Sequence, residues 1–325
     1  TNANACGPCP LVLEVLQQVN AAAYPDPQYT TLIAELSAAT GVYPERIVLG
    51  ASASECITRL TAAVASAPGR EAPAAVYVPE QAYGDYARAA QGWAMPRVHA
   101  VADADLIWQC EPASPTGQAV PALPEQVAQL RPEQTLVLDA AYAPLRLDGH
   151  SALAPAQREV VWQLFSPNKA LGLTGIRAGF LIAPRAALDE GSPAWRLLQR
   201  LHALAPSWPV GAHGVAMLSA WLRPDVQQWL HQSLEQLRAW RLAQNAMLRE
   251  LGWTLQDSAS PYGVAQPPVA AGDWTAMLAF MRARGVKLRD AASLGLRGWL
   301  RLAVRAPADQ QALREGWLAW QSRAV

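Results

Sequence analysis

One lysine in this sequence has neighbours suited to chemistry. Lys169 sits in Ser166-Pro167-Asn168-Lys169, directly behind the strand-like run 160–165, and a glycine-punctuated turn after it closes on Arg177. A primary amine there can condense with an aldehyde, and Ser166 and Arg177 flank it as ligands for a dianion such as phosphate. A surface lysine in a glycine-rich loop would read the same from this run alone. Its partners must therefore come from elsewhere in the chain.

Several are available. Asp139 follows the apolar run 135–138, where a carboxylate is costly unless something positive meets it. An ordinary turn or helix-cap aspartate is the bland meaning of any one such residue. Tyr142, three residues on, can donate to a ring oxygen. Ser52 and Ser54 precede a helix expected from Cys56; Ser52-x-x-Glu55 is a capping box, and a helix start with free amides and hydroxyls is also an anion site. Tyr83 can lie on a ring face, although a loop tyrosine is more often simply packed. An amine for an aldehyde, a carboxylate for a pyridinium, a phosphate cradle, a ring stacker and a donor to a ring hydroxyl are what pyridoxal 5′-phosphate needs from a protein.

Only a common scaffold can bring such scattered residues together. Apolar runs at 46–49, 74–78, 105–110, 135–138, 160–165 and 179–182 alternate with helix-like segments such as 56–67 and 125–130. That grammar predicts an α/β fold, a mostly parallel sheet with helices on both faces. Polar clusters follow five of the runs directly, and ligands of open α/β sheets bind beyond the carboxyl ends of the strands. Ahead of the sheet, helices are expected over 11–23 and 29–40. After Pro184 the pattern changes to a long helical region over 211–251, strands near 263–266 and 299–304, and a final helix over 308–320, a smaller α+β domain. The expected division is an N-terminal arm, 1–28, that joins the small domain and contacts a second subunit; a large cofactor-binding domain, 29–205; and the small C-terminal domain, 206–325.

The composition bounds the partners. The chain has 325 residues, Lys+Arg and Asp+Glu at 26 each, and only 16% charged residues, against a usual share of about 25%. So charge-poor a surface predicts a covered face, hence a homodimer. No basic run marks a nucleic-acid face, and no apolar segment reaches the roughly 18 residues of a membrane span. No signal-peptide pattern opens the chain, so a cytoplasmic protein is expected; since it starts at Thr1 rather than Met, an upstream stretch is expected too. Cys6-Gly7-Pro8-Cys9 has the letters of a redox motif, but a strand would have to precede it and only five residues do. The five histidines have no metal-ligand spacing, and no metal is expected.

These motifs, with their spacing, resemble those of the class I/II aminotransferase superfamily of fold-type I pyridoxal phosphate enzymes, most closely histidinol-phosphate aminotransferases and threonine-phosphate decarboxylases. The segment 2–10 is similar to the family's N-E-N-P-x-G-P-S-P opening, and Tyr24-Pro25-Asp26-Pro27 to its Y-P-D-P segment. The resemblance implies that Tyr24 reaches the cofactor phosphate of a neighbouring subunit, so that active sites are shared in a homodimer. It implies Lys169 as the Schiff-base lysine and proton shuttle, Asp139 as the pyridinium partner, and Tyr142 and Ser114 as donors to the ring hydroxyl. Tyr83 becomes the stacker, and Ser52, Ala53, Ser54, Ser166 and Arg177 the phosphate site. Arg301, in a segment similar to the family's L-R-I, would hold the substrate's anionic end, assisted by Arg289 and Asn4.

The implied activity is transfer of an amino group between an amino substrate and a keto acid. The alternative is decarboxylation of threonine phosphate, toward which the Ala53-Ser54-Glu55 loop and Ser207-Trp208-Pro209-Val210 lean. A non-catalytic regulator is a third reading, opposed by the intact Lys169, Asp139 and Arg177. The chain departs from the family at Ser114, where an asparagine is usual, at Ala51 in the phosphate loop, and at Arg305, where glycine is common.

Overall fold

Alternate residues along the central strands feed two separate cores. The computed structural model describes residues 2–323; position 1 of the expected arm and positions 324 and 325 of the expected C-terminal domain lie outside the described residues. The large sheet comprises β1 (Ile47–Gly50), β2 (Val76–Tyr77), β3 (Arg97–Val98), β4 (Leu106–Cys110), β5 (Thr135–Asp139), β6 (Trp162–Phe165) and β7 (Gly179–Ile182). Their order is β1-β7-β6-β5-β4-β2-β3, and among the described residues only β7 runs against its neighbours. Val48, Trp108, Val137, Leu164 and Leu181 face one core with the helix Ala53–Ala65. Ile107, Leu136 and Leu138 face a second with the helix Leu123–Ala128; Ile47, Leu49, Phe180 and Ile182 extend that second face beneath the helices Pro10–Gln17, Thr30–Thr40 and Ala212–Trp221. Covered on both sides, these strands read as unbroken apolar runs rather than as alternating ones.

A second sheet, β10-β11-β9-β8, is antiparallel throughout: β8 (Thr254–Leu255), β9 (Tyr262–Gln266), β10 (Arg289–Asp290) and β11 (Leu300–Ala303). Met247, Met281, Leu300 and Trp317 centre its core, where Trp253 meets Trp317 edge-on at 4.9 Å. The expected helical region 211–251 is two helices, Ala212–Trp221 and Pro224–Glu250. Pro224 forces the break, since proline cannot donate to the preceding turn and suits a helix start. The first of the two packs on the large sheet, with Met217 and Leu218 against that core. The helix expected over 11–23 ends at Gln17, and the helix Trp274–Ala283, together with β3, β8 and β10, adds to the expected elements. Strands of two residues carry too little pattern to be seen in a sequence. No helix of the described residues is long and apolar enough to cross a membrane.

The N-terminal segment crosses the lysine loop. Asn4 N donates to Lys169 O at 2.9 Å and Cys9 N to Leu171 O at 2.8 Å. At the crossing a Cβ on Gly7 would stand 2.8 Å from Gly172 Cα, and Gly172 has φ +70°. The Cys6-Gly7-Pro8-Cys9 turn thus serves close backbone approach; both thiols are free, and burial raises the pKa of each.

Candidate active site

Each polar cluster stands where its strand stops. A cavity of about 240 Å³ opens at the carboxyl ends of β4, β5 and β6, closed from one side by the N-terminal segment and from another by β11. β5 delivers Asp139, and the turn after it Tyr142; the loop after β6 delivers Ser166 and Lys169, and the approach to β7 brings Arg177. Ser114 enters from the loop after β4, Ala53 and Ser54 from the start of the helix Ala53–Ala65, Tyr83 from the residue before the helix Gly84–Gly92, and Arg301 from β11. All of these candidates line the one cavity.

Asp139 is 5% exposed. Its Oδ1 accepts from Ala141 N at 2.9 Å and its Oδ2 from Tyr86 Oη at 2.6 Å. It joins no ion pair among the described residues. A buried carboxylate with hydrogen-bond donors but no ion-pair partner is chemically incomplete, and a cationic ring nitrogen would complete it. Lys169 Nζ lies over the Tyr142 ring, 4.8 Å from its centroid. Tyr142 packs against Tyr262 at 4.6 Å; burial raises the pKa of its hydroxyl, with Arg301 pulling the other way, so it stays a donor.

At the helix start Ser52 Oγ accepts from Glu55 N at 3.1 Å. Ser52 is thereby the helix cap and does not line the cavity, while Ala53 and Ser54 occupy the first turn, whose amides lack helical partners. Ser54 Oγ and Tyr83 Oη lie 3.3 Å apart. Ser166 Oγ stands 3.0 Å from Ala178 O and 3.1 Å from Asn168 Oδ1, so its one hydrogen is engaged within the loop. Arg177 is exposed at the rim, in no ion pair among the described residues. Helix amides, a hydroxyl and a guanidinium are a donor set for a phosphate.

Three further candidates stand apart from this cavity. Asn4 is tied to the lysine loop, its Nδ2 on Ala170 O at 3.0 Å and its Oδ1 on Cys6 N at 2.9 Å. Arg289 is exposed, pairs across the sheet with Arg301 and donates to Ser293 Oγ at 2.9 Å. It lines an adjoining cavity of about 410 Å³ with Lys287 and Arg305, and Arg301 belongs to both cavities. Tyr24 is 78% exposed and stacks on Trp208 at 4.4 Å, whose Nε1 donates to Pro25 O at 3.0 Å. Asn2, Tyr86, Cys110, Asn168 and Thr174 also line the first cavity. Tyr86 was discoverable from Tyr83-x-x-Tyr86, since residues three apart share a helix face; Asn2 stands in the same opening segment as Asn4. A larger cavity, about 540 Å³, lies beside the helix Pro224–Glu250, but Asp148 and Arg241 on its wall pair with each other.

Comparison with known proteins gives a consistent picture. A family model described as aminotransferase class I and II matches residues 2–317. A histidinol-phosphate aminotransferase of Ruegeria pomeroyi is 29% identical over 96% of this chain and 88% of its own length. Among solved structures, a histidinol-phosphate aminotransferase of Sinorhizobium meliloti in complex with pyridoxal-5′-phosphate superposes with a TM-score of 0.81 at 20% identity, covering 98% of this chain and 90% of that one. An L-threonine-O-3-phosphate decarboxylase of Porphyromonas gingivalis does so with 0.77 at 17%, covering 96% and 95%. At such identities the two superpositions bear on the fold.

Proposed function

We propose, from the premise that the chain belongs to the class I and II aminotransferase family, that it is a pyridoxal 5′-phosphate enzyme moving an amino group between an amino substrate with an anionic end and a keto acid. The observation that carries this reading is the buried, uncompensated Asp139 across one small cavity from Lys169, with the open helix start beside them. Bound there, the cofactor supplies an aldehyde that takes up an amine and an electron-poor ring that stabilises charge on the neighbouring carbon.

The residues divide the remaining tasks. Lys169 Nζ would hold the cofactor's aldehyde and, as a free amine, would move a proton at the substrate carbon. Asp139 keeps the ring nitrogen protonated. Tyr142 donates to the ring oxygen, with Ser114 beside it, and Tyr83 covers the ring. Ala53 and Ser54 amides, the Ser54 hydroxyl and Arg177 hold the phosphate, with Ser52 capping the helix that presents them. Arg301 grips the anionic end of the substrate. Tyr24 serves the phosphate in the neighbouring subunit of a homodimer.

The substrate class is an amino compound bearing a phosphate. Two observations support it: the names of the relatives carry histidinol phosphate and threonine phosphate, and Lys287, Arg289 and Arg301 border one cavity in which Arg305 is paired with Asp309. Threonine-phosphate decarboxylation is the second reading, supported by the likeness to the Porphyromonas gingivalis enzyme and open to the same residues. A spectral titration of the purified, cofactor-loaded protein with histidinol phosphate and with threonine phosphate separates them. Conversion of the bound cofactor's visible band by histidinol phosphate, reversed by 2-oxoglutarate, is the expected result; carbon dioxide from threonine phosphate without a keto acid would favour the second. Lys169→Ala is expected to lose the band and at least about 10³-fold in turnover; retained turnover would sink both.

A further inference from the structure

Asp139 is gripped by a side chain outside the family motifs described above. Tyr86 lies on the helix Gly84–Gly92, one turn beyond Tyr83, and is 1% exposed. Its ring stacks on Trp108 of β4 with centroids 4.8 Å apart and planes 5° from parallel. So fixed, its hydroxyl can point in few directions, and it donates to Asp139 Oδ2 at 2.6 Å, a length usual for a hydroxyl bonded to a charged acceptor. Ala141 N occupies Oδ1. A carboxylate has about four lone-pair sites, which leaves room for the cofactor's ring nitrogen beside both donors.

We propose that Tyr86 is a positioning residue that acts through Asp139 to keep the proton on the cofactor's ring nitrogen. The inference rests on the reading of Asp139 as the partner of that nitrogen. In such a pair one proton is shared between nitrogen and carboxylate, and a donor to the carboxylate stabilises its charged form. With Tyr86 bonded, the negative charge on the carboxylate is held in place and the proton stays with the ring nitrogen, the state in which the ring best withdraws electrons. Burial, and then the negative charge of Asp139, hold the Tyr86 hydroxyl well above its ordinary range, so it remains a donor.

The test uses the full chain loaded with pyridoxal 5′-phosphate labelled with ¹⁵N in the ring. It reads the nitrogen chemical shift and, by titration of the apoprotein, the cofactor Kd. Tyr86→Phe keeps the stack on Trp108 and removes only the hydroxyl. The expected result is a nitrogen resonance moved toward the unprotonated value and a Kd raised about tenfold. An unchanged resonance and Kd in Tyr86→Phe, with both changed in Asp139→Asn, overturns the role of Tyr86 and leaves Asp139 in place. No change in either variant overturns the reading of Asp139 and this inference with it. If Tyr86→Phe does not fold, 3-fluorotyrosine at position 86 takes its place: its ¹⁹F signal is expected to shift on cofactor loading, and a signal indifferent to loading overturns the proposal.

Discussion

Arg301 stands in the wall between two cavities, with its Nε buried and without a hydrogen bond among the described residues. A planar guanidinium binds an oxyanion through two parallel bonds, which a lysine ammonium cannot copy. Arg301→Lys is therefore expected to raise KM for the phosphorylated substrate by about tenfold or more while the bound cofactor's absorbance stays as in the wild type; steady-state kinetics beside a visible spectrum checks both halves. Lys169, Asp139 and Arg177 were legible in the sequence because each sits beside its own strand end and local spacing names it. Asn2 was not, because its place in the cavity comes from packing between segments far apart in the chain, and Tyr86 showed only its spacing from Tyr83, not its bond to Asp139. Ser52 shows the limit from the other side: one hydroxyl fits both a capping box and an anion site, and its bond to Glu55 N appears only in three dimensions.

Among the elements, the N-terminal segment and the lysine loop cross at close range. Gly7 and Gly172 leave no space for a Cβ at their contact, and Gly172 also occupies the left-handed region. Gly172→Ala is expected to cost about 2–4 kcal/mol from conformation and overpacking together, lowering Tm by about 2 °C or more per kcal/mol, and to weaken cofactor binding because Lys169 rides on the same loop. Calorimetry with and without cofactor measures the two effects separately. The large sheet was readable from its sequence because strands covered on both faces are uniformly apolar and end in polar clusters. The break at Pro224 was written in the sequence too, but the apolar residues on both sides continue the helical pattern and hide it.

At the scale of the molecule, the proposed homodimer makes a sharp demand. Tyr24 stands outside its own cavity, exposed and stacked on Trp208. If it serves a neighbour, a Tyr24→Ala subunit with an intact Lys169 regains function beside a Lys169→Ala subunit that still carries Tyr24. Mixing the two inactive variants under exchange conditions is expected to restore roughly a quarter of the wild-type sites, since half the dimers are mixed and each has one whole site; no recovery after verified exchange counts against shared sites. A chain with only 16% of its residues charged is consistent with such a covered face. The clasp between Asn4 and the lysine loop spans 166 positions of sequence. A ribosome adding about 5–20 residues per second needs on the order of ten to thirty seconds to make that interval, during which the opening segment has nothing to fasten to. Capture of the vitamin must therefore wait until that loop has been made, and a pause in translation before Lys169 would leave Asn4 and its neighbours exposed to proteases.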